Sequence, residues 1–230
     1  MIIKFGNWIF RYRNYLFIIL YVVIFLPSPP LLQSINITMY TGLFLIILGM
    51  IIRGTTIGLE YIVRGGNNRN IYAKNLVTGG IYSICRNPMY LGNLLLLLGF
   101  GVFSNSALFT FIIFPIFVFI YYSIIKAEEV FLIGKFGEEF KNYQKNTNTI
   151  LPDLRNIKSA FKNQKFNWGK VILKEYNSIF LYLTAILLIA VFHEEIGTTL
   201  FAALQIALTT IYLIIKEIKR NKQRKEKNSK

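Results

Sequence analysis

The sequence contains very few of the residues that build disulfides and metal sites. Its 230 residues include one cysteine, Cys85, and one histidine, His193. A single cysteine excludes an internal disulfide and a metal site made of cysteines, and we interpret Cys85 as a small apolar residue. His193 is followed by Glu194 and Glu195, a group that is more typical of a solvated turn than of a zinc site. We therefore expect no metal cofactor.

Charged residues are missing from two long stretches. No Lys, Arg, Asp or Glu occurs from Asn14 to Ile52 or from Asn87 to Ile125. Each stretch is long enough for two helical crossings of a bilayer, because one crossing takes about 20 residues. With 54% hydrophobic residues, the chain is also too apolar for an ordinary soluble domain. These features predict an integral membrane protein.

The uncharged stretches and a later apolar segment predict three helical hairpins. Pro27 to Pro30 mark one end of the first span, and Ser104 to Ala107 mark the turn of the second hairpin. A third hairpin is expected from about residue 176 to residue 215, divided by His193 to Gly197. The expected fold is all-α, a polytopic membrane protein with about six transmembrane helices.

Lysine and arginine fall on one side of this arrangement. In chain order, 3 precede the first span, 5 lie between the second and third, 10 lie between the fourth and fifth, and 8 follow from Lys216, which accounts for all 26. Because these residues collect in cytoplasmic loops, we expect both termini in the cytoplasm, with the opposite side reached near residues 33–39, 104–107 and 193–197. The first apolar segment should be retained, since no small-residue cleavage site follows it.

The net charge of +15 then reflects topology and attraction to anionic lipid headgroups. Outside the loops that flank the membrane, no basic stripe with interleaved aromatic residues appears, so we expect no nucleic-acid partner.

Polar residues are concentrated in "IYSICRNPMYLGN", residues 81–93, just before the third span. Asn87 is a favourable helix cap and Pro88 suits the first helical position. The free amides of that helix start, together with Arg86, favour an anionic group. In the alternative interpretation, Arg86 extends to lipid phosphates and Tyr90 belongs to the interfacial aromatic belt.

A second polar stretch runs from Lys126 to Pro152, after the fourth span. The third and fourth spans form a tight hairpin, so Arg86 and Tyr90 should lie near Glu128 and Glu129. These two glutamates differ by about 100° around a helix. One is expected to face a bound cation while the other pairs with Arg86, Lys126 or a loop lysine.

The second stretch also predicts a helix break and restart. "GKFG" at residues 134–137 should interrupt the helix. "EEFKNYQKN" should then resume it, with Phe140 and Tyr143 on one face.

The two stretches resemble the isoprenylcysteine carboxyl methyltransferase and phospholipid methyltransferase family of integral membrane enzymes. The similarity covers roughly residues 42–152 and rests on "LVTGGIYSICRNPMYLG", the short hairpin, "EEVFLIGKFGEEFKNYQKN" and "ILP". It implies a cytoplasmic pocket for S-adenosylmethionine and a lipophilic acceptor that enters from the bilayer. The implied cofactor-binding residues are Gly79, Tyr82, Arg86, Pro88, Tyr90, Gly92, Glu128 and Glu129. The implied catalytic residues are Arg86, Asn87, Tyr90 and Glu129.

One residue departs from the pattern of that family. Asn87 stands where the family usually has histidine, which keeps the capping ability and removes a group that titrates near neutral pH.

The expected organisation has four parts. Residues 1–152 form a methyltransferase core, and residues 153–175 form a basic interfacial connector. An additional hairpin follows at residues 176–215, as a wall, a lid or an oligomer contact, and residues 216–230 form a disordered basic tail held to anionic lipid.

The expected function is methyl transfer from S-adenosylmethionine to a lipophilic acceptor at the cytoplasmic face of the cell membrane. Two alternatives remain open at this point. One is a membrane reductase that uses a nicotinamide dinucleotide, which the absence of a GxGxxG motif does not exclude. The other is a non-catalytic membrane protein of the same fold.

Overall fold

A computed structural model describes residues 1–59, 71–162 and 164–228. Arg64 and Arg69, which the topology argument places in a cytoplasmic loop, lie outside the described residues. The described part of the chain is helical and contains no β-strand, which confirms the all-α prediction. The helices are α1 (Ile2–Val22), α2 (Ile35–Leu59), α3 (Pro88–Phe103), α4 (Phe114–Phe136), α5 (Glu138–Asn146), α6 (Ile157–Phe161), α7 (Trp168–Phe192) and α8 (Thr198–Asn228).

Four described helices are long and apolar enough to cross a membrane. They are α2, α4 together with the π-helical turn before it, α7 and α8. A fifth candidate is the bent pair Ile2–Arg13 and Tyr15–Phe25, whose halves differ in direction by 79°. The sixth predicted span corresponds to α3, an apolar helix of 16 residues, which is shorter than the roughly 20 residues of a typical crossing.

The first turn lies earlier than predicted. Residues 35–39 already belong to α2, so the chain reverses before them, where Pro27, Pro29 and Pro30 prevent a regular helix. This turn is bonded to the turn after α3: Pro30 and Ser106 form an isolated antiparallel bridge, and the Leu31 amide donates to the Asn105 carbonyl over 2.9 Å. The turns predicted at residues 104–107 and 193–197 are confirmed.

Small residues bring α2 and α3 into close contact. A Cβ atom added to Gly92 would lie 2.7 Å from Cγ of Arg53 and 3.0 Å from the Gly49 carbonyl oxygen. Close approach of backbones through small residues is a common way for helices to associate in membranes. This packing fixes α3 and therefore the position of the polar residues at its start.

The break between α4 and α5 occurs at Gly137, where φ is +56°. Glycine adopts this conformation without the steric cost that other residues incur. Gly134 lies inside α4, so the predicted interruption is confined to one residue. In α5, Phe140 and Tyr143 are both buried on one face, as predicted.

The chain divides into two compact units, Met1–Lys165 and Phe166–Lys230. The second unit is a hairpin of α7 and α8, in which the Tyr176 and Tyr212 rings stack 5.4 Å apart and the Gln205 side chain donates to Thr184 over 3.2 Å. The prediction of a disordered tail from Lys216 was wrong for the described residues, because α8 continues to Asn228. The lysine, arginine, glutamine and glutamate residues of this run are good helix formers, and neither glycine nor proline interrupts them.

Candidate functional site

The start of α3 forms one side of a polar cluster. Pro88 is the first helical residue and Asn87 occupies the N-cap position, as predicted. The Asn87 carbonyl accepts bonds from the amides of Tyr90 and Leu91, at 3.0 and 3.1 Å.

The predicted role of the Asn87 side chain was wrong. It makes no capping hydrogen bond, and its Nδ2 instead donates to the Thr149 carbonyl over 3.0 Å. The side chain is buried, and its amide nitrogen satisfies a carbonyl 62 positions away in sequence. Asn87 therefore connects the start of α3 to the chain that follows α5.

Arg86 and Glu129 form a buried ion pair. The guanidinium Nη2 lies 2.7 Å from Glu129 Oε1. The same guanidinium donates to the Gln144 carbonyl at 3.0 Å, to Thr149 Oγ1 at 2.8 Å and to the Thr147 carbonyl. Several of its donors are thus already used inside the protein, and this hydrogen bonding fixes the position of the Glu129 carboxylate.

Glu128 points to a different partner. The Tyr90 hydroxyl donates to Glu128 Oε1 over 2.7 Å, whereas Glu129 Oε2 accepts from Lys126 Nζ over 3.0 Å. Adjacent positions on α4 therefore direct the two carboxylates to different partners, as the helical geometry predicts. The predicted proximity of Arg86 and Tyr90 to these glutamates is confirmed.

Residues 144–153 hold the polar cluster together from the other side. This segment contacts the Arg86 and Asn87 side chains and also forms two backbone hydrogen bonds of 2.9 Å. The Arg86 amide donates to the Asn148 carbonyl, and the Asp153 amide donates to the Ile84 carbonyl. Residue types do not predict this role, because backbone carbonyls accept hydrogen bonds whatever the side chain. The one available signal was the polar run "NTNT" before "ILP".

Cys85 is buried beside this contact. Its thiol lies 2.9 Å from the Ile150 carbonyl oxygen. Burial raises the pKa of the Cys85 thiol to about 11. A neutral buried thiol of this kind behaves as a small apolar residue rather than as a nucleophile.

The remaining residues implied by the resemblance have other surroundings. Gly79 is exposed. Tyr82 packs in an apolar cluster with Ile81, Ile84, Cys85 and Ala160, and its carbonyl accepts from the Tyr143 hydroxyl over 2.6 Å. Gly92 is buried against Arg53 and Gly49 of α2. The structure thus brings together Arg86, Asn87, Tyr90, Glu128 and Glu129, with Pro88 at the helix start between them.

Arg53, which the predicted topology places in a loop, is a buried charged residue. It lies inside α2, and its guanidinium donates to Asn93 Oδ1 on α3. Its aliphatic stem occupies the space that Gly92 leaves open. A buried arginine in a membrane helix is costly and usually has a partner. Arg53 directly follows 39 uncharged positions, Asn14 to Ile52. This adjacency was the available signal that the second apolar helix could continue through Arg53.

The chemistry of the cluster suits a ligand that carries charges of both signs. Two carboxylates and a half-exposed lysine, Lys126, which pairs with one of them, lie at the end of an apolar hairpin. Carboxylates accept charge-assisted hydrogen bonds from a cationic group, and an ammonium group binds a carboxylate in the same way.

Comparison with known proteins identifies the same region. Residues 37–139 match the model of the phospholipid methyltransferase family. A stretch of 137 residues is 28% identical to the protein-S-isoprenylcysteine O-methyltransferase of Mus musculus, covering 56% of this chain and 46% of that protein.

Two bacterial proteins are similar over shorter stretches. The cobalt-zinc-cadmium resistance protein CzcN of Cupriavidus metallidurans is 39% identical over 79 residues, which are 34% of this chain and 36% of that protein. The nickel-cobalt-cadmium resistance protein NccN of Alcaligenes xylosoxydans xylosoxydans is 33% identical over 84 residues, which are 36% of this chain and 39% of that protein.

The chain therefore spans between about a third and a half of the length of the curated relatives it matches. No solved structure gives a significant match. Residues 37–139, which include most of α2, all of α3 and both glutamates of the polar cluster, are therefore similar to the phospholipid methyltransferase family.

Proposed function

We propose that this protein transfers a methyl group from S-adenosylmethionine to a lipophilic acceptor at the cytoplasmic face of the membrane. The main support is the buried cluster in which Arg86 pairs with Glu129 and Tyr90 bonds to Glu128. It is built from the two stretches that resemble membrane methyltransferases, and most of it lies inside the segment that matches the family model.

The residues of the cluster fit this cofactor. S-adenosylmethionine carries an amino group and a sulfonium, both cationic, together with a carboxylate. Glu128 and Glu129 supply acceptors for the cationic groups, and the half-exposed Lys126 supplies a partner for the carboxylate. Arg86 is assigned as a positioning residue, because its guanidinium already donates to Glu129 and to three acceptors in residues 144–149.

When bound, the cofactor supplies a methyl group on a positively charged sulfur: the acceptor's lone pair bonds to the methyl carbon while the carbon–sulfur bond breaks and its electrons stay on sulfur. The protein's part is to hold the two reactants in line and to exclude water. The hydrogen bonds of Arg86 and Asn87 to residues 144–149 keep the carboxylates in place during this step.

A proton must be removed only if the acceptor atom carries one at the start. Asn87 does not titrate near neutral pH, unlike the histidine usual in the family. We assign this role to the Glu128 carboxylate, which holds a hydrogen bond from the Tyr90 hydroxyl. Tyr90 orients the carboxylate toward the acceptor.

The finer topology is part of the same proposal. Both termini and the polar cluster face the cytoplasm, and α3 completes a set of six spans in the cell membrane. The basis is the one-sided distribution of lysine and arginine. Residues 153–175 serve as the interfacial connector, since Leu154, Ile157, Phe161 and Trp168 are exposed there among basic residues that suit anionic headgroups.

Calorimetric titration of the detergent-purified protein tests the function. We expect binding of S-adenosylmethionine and no binding of reduced nicotinamide dinucleotides, because the comparisons favour a methyltransferase over the reductase. A Glu129→Gln variant should bind the cofactor about tenfold more weakly, as expected when one charged hydrogen bond is lost. Binding of a nicotinamide cofactor alone, or of neither ligand, would refute the proposal.

A further inference from the structure

An open groove lies between the first half of α1 and the last turns of α4. Its volume is about 380 Å³. The lining residues include Asn7 and Phe10 of α1, Ile71 of the loop before α3, and Ala127, Val130 and Phe131 of α4. Among the described residues that line it, Asn7 is the polar one. The side chains that line the groove are thus apolar apart from one amide group.

The groove approaches the polar cluster. Phe10 and Ile71 pack in the same apolar cluster as Tyr90. Ala127 directly precedes Glu128 in α4. The groove and the Tyr90–Glu128 hydrogen bond therefore share one apolar cluster and neighbouring positions on α4.

The other side of the groove opens outward. Val130, which lines it, is exposed, and so are Trp8 and Tyr12 on the adjacent half of α1. That half also carries Lys4 and Arg11. Aromatic and basic residues of this kind are enriched where a membrane meets water. This distribution predicts that the opening lies near the level of the lipid headgroups.

We propose that this groove binds the hydrocarbon chain of the methyl acceptor and that the acceptor is a single-chain lipid. The inference rests on the proposed function, because it places the reacting head of that lipid beside Tyr90 and Glu128. A volume of about 380 Å³ is at the small end of the range of roughly 300–1,000 Å³ for small-molecule sites. It favours one slender chain over a two-chain phospholipid, and the Asn7 amide offers a hydrogen bond near the head.

The test uses a diazirine derivative of palmitic acid as a photoactivatable probe, added to the full-length protein in detergent. Crosslinked peptides are identified by mass spectrometry. Label should concentrate on the peptides that carry Asn7 and Val130. A Val130→Trp variant fills the groove and should reduce this labelling about tenfold, as expected when an apolar site loses the space for its ligand.

Val118→Trp provides the matched control. Val118 lies on the same helix and is similarly exposed, 40% against 48% for Val130, and it does not line the groove. Labelling of the groove peptides in this variant should equal that of the parent. An Ala127→Leu variant, which narrows the groove from the same helix, should repeat the loss seen with Val130→Trp.

Label spread evenly over exposed apolar helices, unaffected by Val130→Trp, would overturn the inference. Equal labelling of the groove by a two-chain diazirine phospholipid would overturn the single-chain assignment. Titration of the same preparations with S-adenosylmethionine separates the two claims. Cofactor binding without groove labelling refutes the acceptor site alone, and groove labelling without cofactor binding refutes the proposed function.

Discussion

Arg86 and Glu129 form an ion pair 2.7 Å long in which the exposed fractions of the two side chains are 9% and 8%. Arg86 lies in the loop just before α3 and Glu129 lies in α4, 43 positions apart in sequence. Removal of one partner from such a pair leaves an uncompensated buried charge, which costs about 3–5 kcal/mol.

Arg86→Ala should therefore lower thermal stability and weaken S-adenosylmethionine binding at least tenfold, about 1.4 kcal/mol. Arg86→Lys keeps the charge and loses the fork of donors, so it should restore only part of the affinity. Stability is measured by thermal unfolding in detergent and affinity by calorimetry. Arg155→Ala breaks an exposed ion pair with Asp153 and serves as the control that should change neither quantity. Unchanged cofactor affinity in Arg86→Ala would contradict the positioning role.

Tyr90 and Glu128 should act as a coupled pair. We expect Tyr90→Phe and Glu128→Gln each to weaken cofactor binding or methyl transfer, and the double variant to lose less than the sum of the two. Contacting residues typically show coupling energies of about 0.5–3 kcal/mol. The measurement is a double-mutant cycle on cofactor affinity and on turnover. Glu138→Gln, at a side chain 74% exposed, is the matched control, and strict additivity of the two single variants would argue against a shared role.

The effect of a substitution at Asn87 should depend on whether the new side chain can still donate a hydrogen bond to the Thr149 carbonyl. Asn87→Asp removes the donor to the Thr149 carbonyl and places a charge beside it, so it should cost more than Asn87→His, whose ring nitrogen can donate in its place. A buried carbonyl left without a donor costs about 1–3 kcal/mol. Thermal stability and cofactor affinity across Asn87→Asp, Asn87→His and Asn87→Leu test this order. If Asn87→Asp proves as stable as the parent, the bond to Thr149 contributes little.

Cys85 should be inert in the folded protein. Burial raises its thiol pKa from 9.0 to about 11, so the folded state keeps a proton that the unfolded chain releases. The resulting stabilisation is complete below pH 9 and is lost as pH rises through the window from 9 to 11. Iodoacetamide should react slowly with native protein at pH 8 and rapidly after denaturation. The stability difference between the parent and Cys85→Ala should shrink across that window, and a difference that is constant with pH would contradict the assignment.

Topology can be tested with single cysteines in a Cys85→Ala background. Cysteines at Lys74 and Lys145 should resist a membrane-impermeant maleimide added to intact cells, whereas one at Glu195 should react. The physical basis is the one-sided distribution of lysine and arginine, which predicts the cytoplasmic side. After the cells are disrupted, the cysteines at Lys74 and Lys145 should react with the maleimide. This control shows that neither cysteine is protected by burial inside the protein. Labelling of Lys74→Cys or Lys145→Cys in intact cells would reverse the assigned orientation.

The main helices and one half of the site were predictable because their causes are local. The missing charges predict the apolar helices, Pro88 fixes the start of α3, and a short turn at Ser104 forces Arg86 and Tyr90 toward Glu128 and Glu129. The end of α4 at Gly137 was predictable to within a few residues, since a glycine pair there permits a break at either position.

The other half of the site was not predictable from residue types. The acceptors of Arg86 at positions 144 and 147 are backbone carbonyls, which every residue carries. The Asn87 side chain has both a donor and an acceptor, and the fold rather than the residue type decides which one is used. The basic run after Lys216 is helical because its residues have high helix propensity, whereas its charge pattern alone predicts a disordered tail.

The hydrogen bonds from Arg86 to positions 144, 147 and 149 have a consequence for biosynthesis. The segment that matches the family model ends at residue 139, ten positions before Thr149. A nascent chain of that length would contain α3, α4 and both glutamates, and Arg86 would still lack three of its acceptors. The ribosome must therefore extend the chain past Thr149 before the arginine is fully satisfied, so the site forms after the hairpin that carries it has been synthesised.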